Sequence, residues 1–351
     1  MTSAAAAILL VAAGHSAYAF GDETDTESSN PSGPGGGAHD QDLVAYASHS
    51  RITVRQVRGS GGTGKKGNLA PVDSSWEPPA CWYEPVFTPE QLKAFVDRTD
   101  GSGDVGIHES WYGKSLWTDH YQDGKPGHNF DDAYSTADGY KDYNIGKGGY
   151  FWRSVAPDPS APASWDCGRI MFWQAPGRIP DVPHAPTAKT LAEFAYDKIR
   201  VPDTEIELKP AAKSTVNLPT WVWLDKGTFQ EVTVRAELPH TGLWAETTAK
   251  PVSLHLDPGT PDAETSPASG ECEINADGSI GTPYAEGSAA RNPPCGITYL
   301  RASGGAPYSL KASVTWQITW KGSGGSGDTL PSGTFETTQD MNVQEIQSVN
   351  R

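Results

Sequence analysis

Hydrophobic and polar positions follow a β rhythm over the C-terminal half of the chain. From Tyr308 to Trp320 every second residue is apolar (Tyr308, Leu310, Ala312, Val314, Trp316, Ile318, Trp320), and those between are Ser, Lys, Gln or Thr. Period two places all the apolar groups on one side of a strand, so one face is buried and the other wet. Trp316 and Trp320 are therefore expected in the core. Shorter strand-like runs are TEIELK, TVNLPTWVWLD, EVTVRAEL, KPVSLHLD, GITYLR and MNVQEIQSV. With turn-rich connections between them, they predict an antiparallel β-sandwich.

The helical period is clear in two places. In TPEQLKAFVDRTDG, Thr88 is a cap, Pro89 takes the first helical position and Gln91 completes a capping box. Leu92, Phe95 and Val96 then share a face. In TAKTLAEFAYDKI, Leu191, Phe194, Ala195 and Ile199 fall on one side. Residues 20–42 carry acids, Gly, Pro and Ser with almost no large apolar group, a pattern that cannot offset the entropy of ordering. LVAYASHSRITVRQV, further on, supplies one or two strands. Between Trp76 and Pro183 aromatic residues are dense and the pattern is irregular; proline-rich APGRIPDVPHAP then reads as a linker.

The expected organisation is multidomain and mainly β. A signal peptide over 1–19 precedes a disordered linker with short strands over 20–75. An aromatic-rich α+β or irregular domain follows over 76–183, and a short helix plus sandwich over 188–351. The signal-peptide reading rests on the apolar run Ala4–Ala13, too short to span a bilayer, and on Ser16-Ala17-Tyr18-Ala19 as a cleavage site before Phe20. No Lys or Arg precedes Arg51, a departure from the basic start such peptides usually have. The expected location is extracellular or cell-surface.

Taken in order, LAEFAYDKIRVPDTEIEL, NLPTWVWLD, PVSLHLDPGT, PPCGITYLRAS, YSLKASVTWQITWKGSGG and MNVQEIQSVN resemble a group of secreted actinomycete proteins of unassigned function. The resemblance covers about 190–351 and implies an Ig/PKD-like sandwich. No catalytic residue comes with it. Where PKD domains carry a Gly-Asp-Gly turn, this chain reads His255-Leu256-Asp257-Pro258-Gly259-Thr260. The Cys…Trp…Cys core signature of immunoglobulin domains is absent too.

Four cysteines occur, Cys81, Cys167, Cys272 and Cys295, with no C-x-x-C spacing. An even count in an exported chain suggests two disulfides with three possible connectivities. Proximity favours Cys272–Cys295, read as a staple across a Gly/Asn/Pro-rich loop, and leaves Cys81–Cys167. A net charge of −16 and a pI near 4.9 oppose nucleic-acid and anionic-membrane partners.

GSGGTGKKG, from Gly59 to Gly67, comes within one residue of a P-loop, but Lys66 stands where Ser or Thr must hold Mg²⁺. A proline-rich stretch follows instead of the helix that would meet the phosphates, so no ATP binding is expected. G-x-S-x-G and H-E-x-x-H are both missing. The stretch 97–142 is rich in carboxylates, with His108, His120 and His128 among them. Its Asp100-Gly101-Ser102-Gly103-Asp104 loop has some calcium-site character without the EF-hand pattern, and no cofactor is expected. The reading is a non-enzymatic envelope protein of adhesion or surface assembly that binds glycan or envelope proteins. Trp111, Trp117, Tyr121 and Tyr150 are the candidate sugar platform, while core packing claims most other aromatics of the region. The rival is an extracellular, glycan-directed hydrolase using carboxylates of 97–142.

Overall fold

The computed structural model describes residues 50–59, 66–100, 115–126, 139–158, 161–167, 169, 171–202, 206–211, 213–224, 230–289 and 291–346. The expected signal peptide, the Asp100–Asp104 loop and most of 97–142 lie outside the described residues. The protein is mainly β and its sheets are mostly antiparallel.

Strand β1 (Thr53–Arg58), β2 (Lys66–Asn68) and β3 (Ala70–Pro71) open the described chain. Next come β4 (Trp82–Phe87), helix α1 (Pro89–Asp100), a π-helical segment (Ser115–Gln122), β5 (Tyr150–Val155) and β6 (Phe172–Gln174). Helix α2 (Ala188–Lys198) leads into β7 (Arg200–Pro202), β8 (Glu207–Lys209), β9 (Lys213–Thr215) and β10 (Pro219–Leu224). The remaining strands are β11 (Val232–Leu238), β12 (Leu243–Asp257), β13 (Ala263–Ser266), β14 (Glu271–Glu273), β15 (Ile280–Gly281), β16 (Gly296–Tyr299), β17 (Tyr308–Gly322) and β18 (Gly327–Gln344).

The large sheet runs β1-β11-β12-β17-β18-β3, with β14 added on β12 and β9 on β18. The small sheet runs β13-β16-β10-β15, with β8 on β10. The alternation in β17 is met residue by residue: Leu310, Ala312, Val314, Trp316, Ile318 and Trp320 are all buried. The large sheet's inner face has two partners. Near Tyr308 it meets the small sheet, where Tyr299 stacks on Tyr308 at 5.4 Å. Toward Trp320 it is crossed by α2, whose Ala192 carbonyl accepts a 2.9 Å hydrogen bond from Thr247 Oγ1. Between these halves the ladders slip register, at Pro251/Ser253 in β12–β17 and at Trp316/Ile318 in β17–β18.

Both helices begin as their sequences dictate. The Thr88 N–H donates to Gln91 Oε1 (2.9 Å) and the Gln91 N–H to Thr88 Oγ1 (3.2 Å). Thr187 and Thr190 make the equivalent box at α2. Leu92 and Val96 are buried on α1, as are Leu191, Phe194 and Ala195 on α2 and Ile199 just past its end.

The three-stranded sheet β4-β5-β6 carries aromatic packing on both faces. One set, with Val86, Leu92, Tyr121, Tyr143 and Phe151, forms a small separate core. The other set joins the large core: Trp82 meets Phe194 edge-on at 5.6 Å and Trp76 lies 4.9 Å from Tyr196. One buried cluster therefore runs across the boundary expected at 183–188. The N-terminal strands enter it too, since Ile52 and Val54 are buried and β1 pairs with β11.

Both disulfides form as paired from sequence, Cys81–Cys167 and Cys272–Cys295. The second does more than staple a loop. Cys272 lies on β14 in the large sheet, and the Cys295 carbonyl accepts from Val222 N–H of β10 in the small sheet (3.0 Å). The bridge clamps one sheet to the other.

Candidate functional site

Of the four platform residues named from sequence, Trp111 lies outside the described residues, and so does the side chain of Trp117. Tyr121 is a correction. It is 1% exposed, its hydroxyl donates to the Met171 carbonyl at 2.5 Å, and its ring packs on Tyr140 and Phe151. It cannot present a face to a ligand because the small core needs that face. Tyr150 is half-buried, packs against the large core and stacks on His240 at 4.7 Å. The structure does not bring Tyr121 and Tyr150 together as one surface.

An outward aromatic pair appears elsewhere, on β10. Thr220, Val222 and Leu224 point into the core, so Trp221 and Trp223 project from the opposite face of the small sheet. Trp221 stands between Gly296 of β16 and Lys209 of β8, and Trp223 between Gly281 of β15 and Glu207 of β8. Directly opposed residues share a face. Each indole thus has a neighbour without a side chain on one flank and an exposed charged residue on the other. Gly281 is required by its backbone, at φ +65° with an added Cβ only 2.3 Å from the Val222 carbonyl. Thr298 and Glu264 extend the same face by one row.

Trp223 is half-buried, whereas Trp221 is covered. Tyr284 meets Trp221 edge-on at 5.9 Å, and Pro293 sits over Gly296. Sequence reading missed this pair because TWVWL is apolar on both sides of the strand, which reads as a buried strand rather than one with a second apolar face. The signal was present: the core consumes only one of those faces.

Two other constellations resemble catalytic or metal sites. Glu271, His255 and Ser313 lie in one cross-strand row, with His255 Nδ1 2.8 Å from Glu271 Oε1. Among the described residues no hydrogen bond links His255 to Ser313, and the imidazole is about half exposed. The nucleophile–base contact that activates a serine is missing. Cys81, Cys167 and His184 cluster within 4.8 Å, but both sulfurs are consumed by the disulfide. At the P-loop look-alike, Lys66–Asn68 is a strand paired with β7, where a phosphate site requires a helix N-terminus.

Comparison with known proteins finds no matching family model, no similar curated protein and no similar solved structure. No helix among the described residues is long and apolar enough to cross a membrane. Two disulfides suit an oxidising, extracellular setting.

Proposed function

We propose that the protein is an exported, non-enzymatic envelope component, acting in adhesion or surface assembly, whose small sheet binds glycan through the Trp221–Trp223 face. One observation carries the reading: half-buried Trp223 stands on the side of β10 that faces away from the core, beside exposed Glu207, with Trp221 two residues away on the same face. Indoles stack on the apolar faces of sugar rings, while Glu207, Lys209 and Glu264 supply acceptors and donors for ring hydroxyls. The sandwich is read as an Ig/PKD-type module akin to those of secreted actinomycete proteins, over about 190–351. What supports this is the pair of antiparallel sheets and the ordered segments that carry the resemblance.

The test is co-sedimentation of the full chain with insoluble envelope glycan. Trp223→Ala should weaken retention by about 1 kcal/mol, the usual worth of an aromatic contact, with an unchanged melting curve. Retention that ignores Trp223→Ala would exclude this glycan face and leave a protein partner. Release of soluble sugar by the wild type, abolished by a single Asp or Glu substitution within 97–142, would establish the hydrolase instead.

A further inference from the structure

Trp221 is the hidden half of the pair. It is 7% exposed although it points away from the core, because Tyr284 meets it edge-on and Pro293 fills the side-chain space of Gly296, its partner on β16. The residues around Tyr284 (Thr282, Pro283, Ala285, Glu286 and Gly287) are themselves exposed, so the cover is thin. Its far end is fixed by the Cys295 disulfide and the Val222–Cys295 backbone bond. Beneath the cover the Trp221 indole N–H is enclosed and has no hydrogen-bond partner among the described residues. A buried donor left unmatched costs stability, and an incoming acceptor at this position would recover that cost. Lys209, exposed beside Trp221, and Glu207, exposed beside Trp223, give each indole its own polar neighbour.

We infer that Trp221 is a second sugar subsite, and that the ligand is an extended β-linked glycan of at least two units whose second ring displaces Tyr284 and accepts the Trp221 N–H. Residues i and i+2 on a strand stand about 6.6 Å apart, so the two indoles offer successive stacking positions along β10. A flat, extended chain can lie across both, whereas a coiled glycan would leave the strand after one contact. The ring that enters over Trp221 supplies the missing acceptor through a hydroxyl. Tyr284 is thus a placeholder, holding the subsite dry until the chain arrives. This inference rests on the glycan reading of the same face.

The experiment is calorimetric titration of the full chain with soluble chito- and cello-oligosaccharides, comparing a monosaccharide with a tetrasaccharide. The wild type should bind the tetrasaccharide more tightly than the monosaccharide. Tyr284→Ala removes the ring that must move, and should strengthen tetrasaccharide binding by about twofold to tenfold without helping the monosaccharide. Trp221→Phe keeps a ring but loses the donor, and should weaken tetrasaccharide binding by about threefold to tenfold. A melting curve for each variant separates these effects from unfolding. If Trp223→Ala weakens binding while Tyr284→Ala brings no gain and Trp221→Phe no loss, the second subsite is wrong and the one-tryptophan glycan site stands. Equal affinity of the wild type for one unit and four overturns it likewise. If Trp223→Ala has no effect, the glycan reading itself fails.

Discussion

Removing the carboxyl of Glu84 should unfasten the start of the described chain. Glu84 on β4 has no exposed surface. Its Oε1 accepts from Ser50 Oγ (2.5 Å) and Trp82 Nε1 (2.6 Å), and its Oε2 from the Arg51 backbone N–H (2.5 Å). Arg153 stands opposite it in the β4–β5 ladder. One side chain therefore ties the residues before β1 to the aromatic sheet. Glu84→Ala strands the buried Trp82 donor and the part-buried donors of Ser50 and Arg51, each bond to a charged acceptor being worth about 1.5–3 kcal/mol. The contributions are not additive, and breaking a buried charged network typically costs about 3–5 kcal/mol, so a loss of about 4 kcal/mol is expected. Burial pushes the Glu84 carboxyl above the ordinary glutamate value, against the opposing pull of its donors and Arg153. A raised value means the folded chain holds that proton more tightly than the unfolded one. The associated stability is present below the ordinary value and is lost as pH rises through the raised one. Urea denaturation of wild type and Glu84→Gln from about pH 4 to pH 8 isolates this, because other carboxyls cancel in the difference. The stability of the wild type relative to Glu84→Gln should fall as pH rises. A loss below about 1 kcal/mol in Glu84→Ala, or a difference that rises with pH, would refute the reasoning.

Burial lowers the His120 value, its ring lying edge-on to Tyr121 (4.8 Å) and Tyr140 (5.2 Å). Stability should therefore fall as pH drops below the ordinary histidine value, and thermal melts of His120→Asn should show a shallower acid-side decline than wild type. Each disulfide closes a loop of known length: separations of 23 and 86 residues give about 3.4 kcal/mol for Cys272–Cys295 and about 4.6 kcal/mol for Cys81–Cys167 in the chain-entropy model. Paired Cys→Ala variants compared by denaturant titration check that order; a larger loss for the shorter loop would show that clamping the two sheets outweighs loop closure.

How far the sequence could be read depended on whether a segment's pattern is set by itself or by a distant partner. β17, α1 and α2 carry their own periodicity and caps, and each forms where expected. The first half of β12 and most of β18 were missed. LWAETT and GDTLPSGTFETTQD are rich in Thr, Gly and Asp, and become strands because β17 offers them a ladder. β1 falls almost wholly within the strand-forming run read at 43–57, whereas β3 was not expected, because Ala70 becomes a strand residue only by pairing with Thr334. The candidate site failed for a related reason. Tyr121 sits between polar His120 and Gln122 yet is buried, whereas Trp223 sits between apolar Val222 and Leu224 yet is only half-buried. Tertiary packing rather than the flanking sequence decides which aromatic is covered. Cysteine pairing succeeded because proximity and even counting sufficed.

The pairing of β3 with β18 has a temporal meaning. The Thr334 hydroxyl donates to the carbonyl of Ala70, a residue 264 positions earlier, and β1 reaches 184 positions forward to β11. A chain emerging from its N-terminus holds β1 with no ladder to join until β11 exists, and β3 with none until β18 exists. Contacts of such sequence separation are slow to form, because loop closure must precede any gain. The order of synthesis and the order of assembly are thus opposed: β1 and β3, early among the described strands, are among the last to be seated, and the large sheet stays open over most of the chain's production.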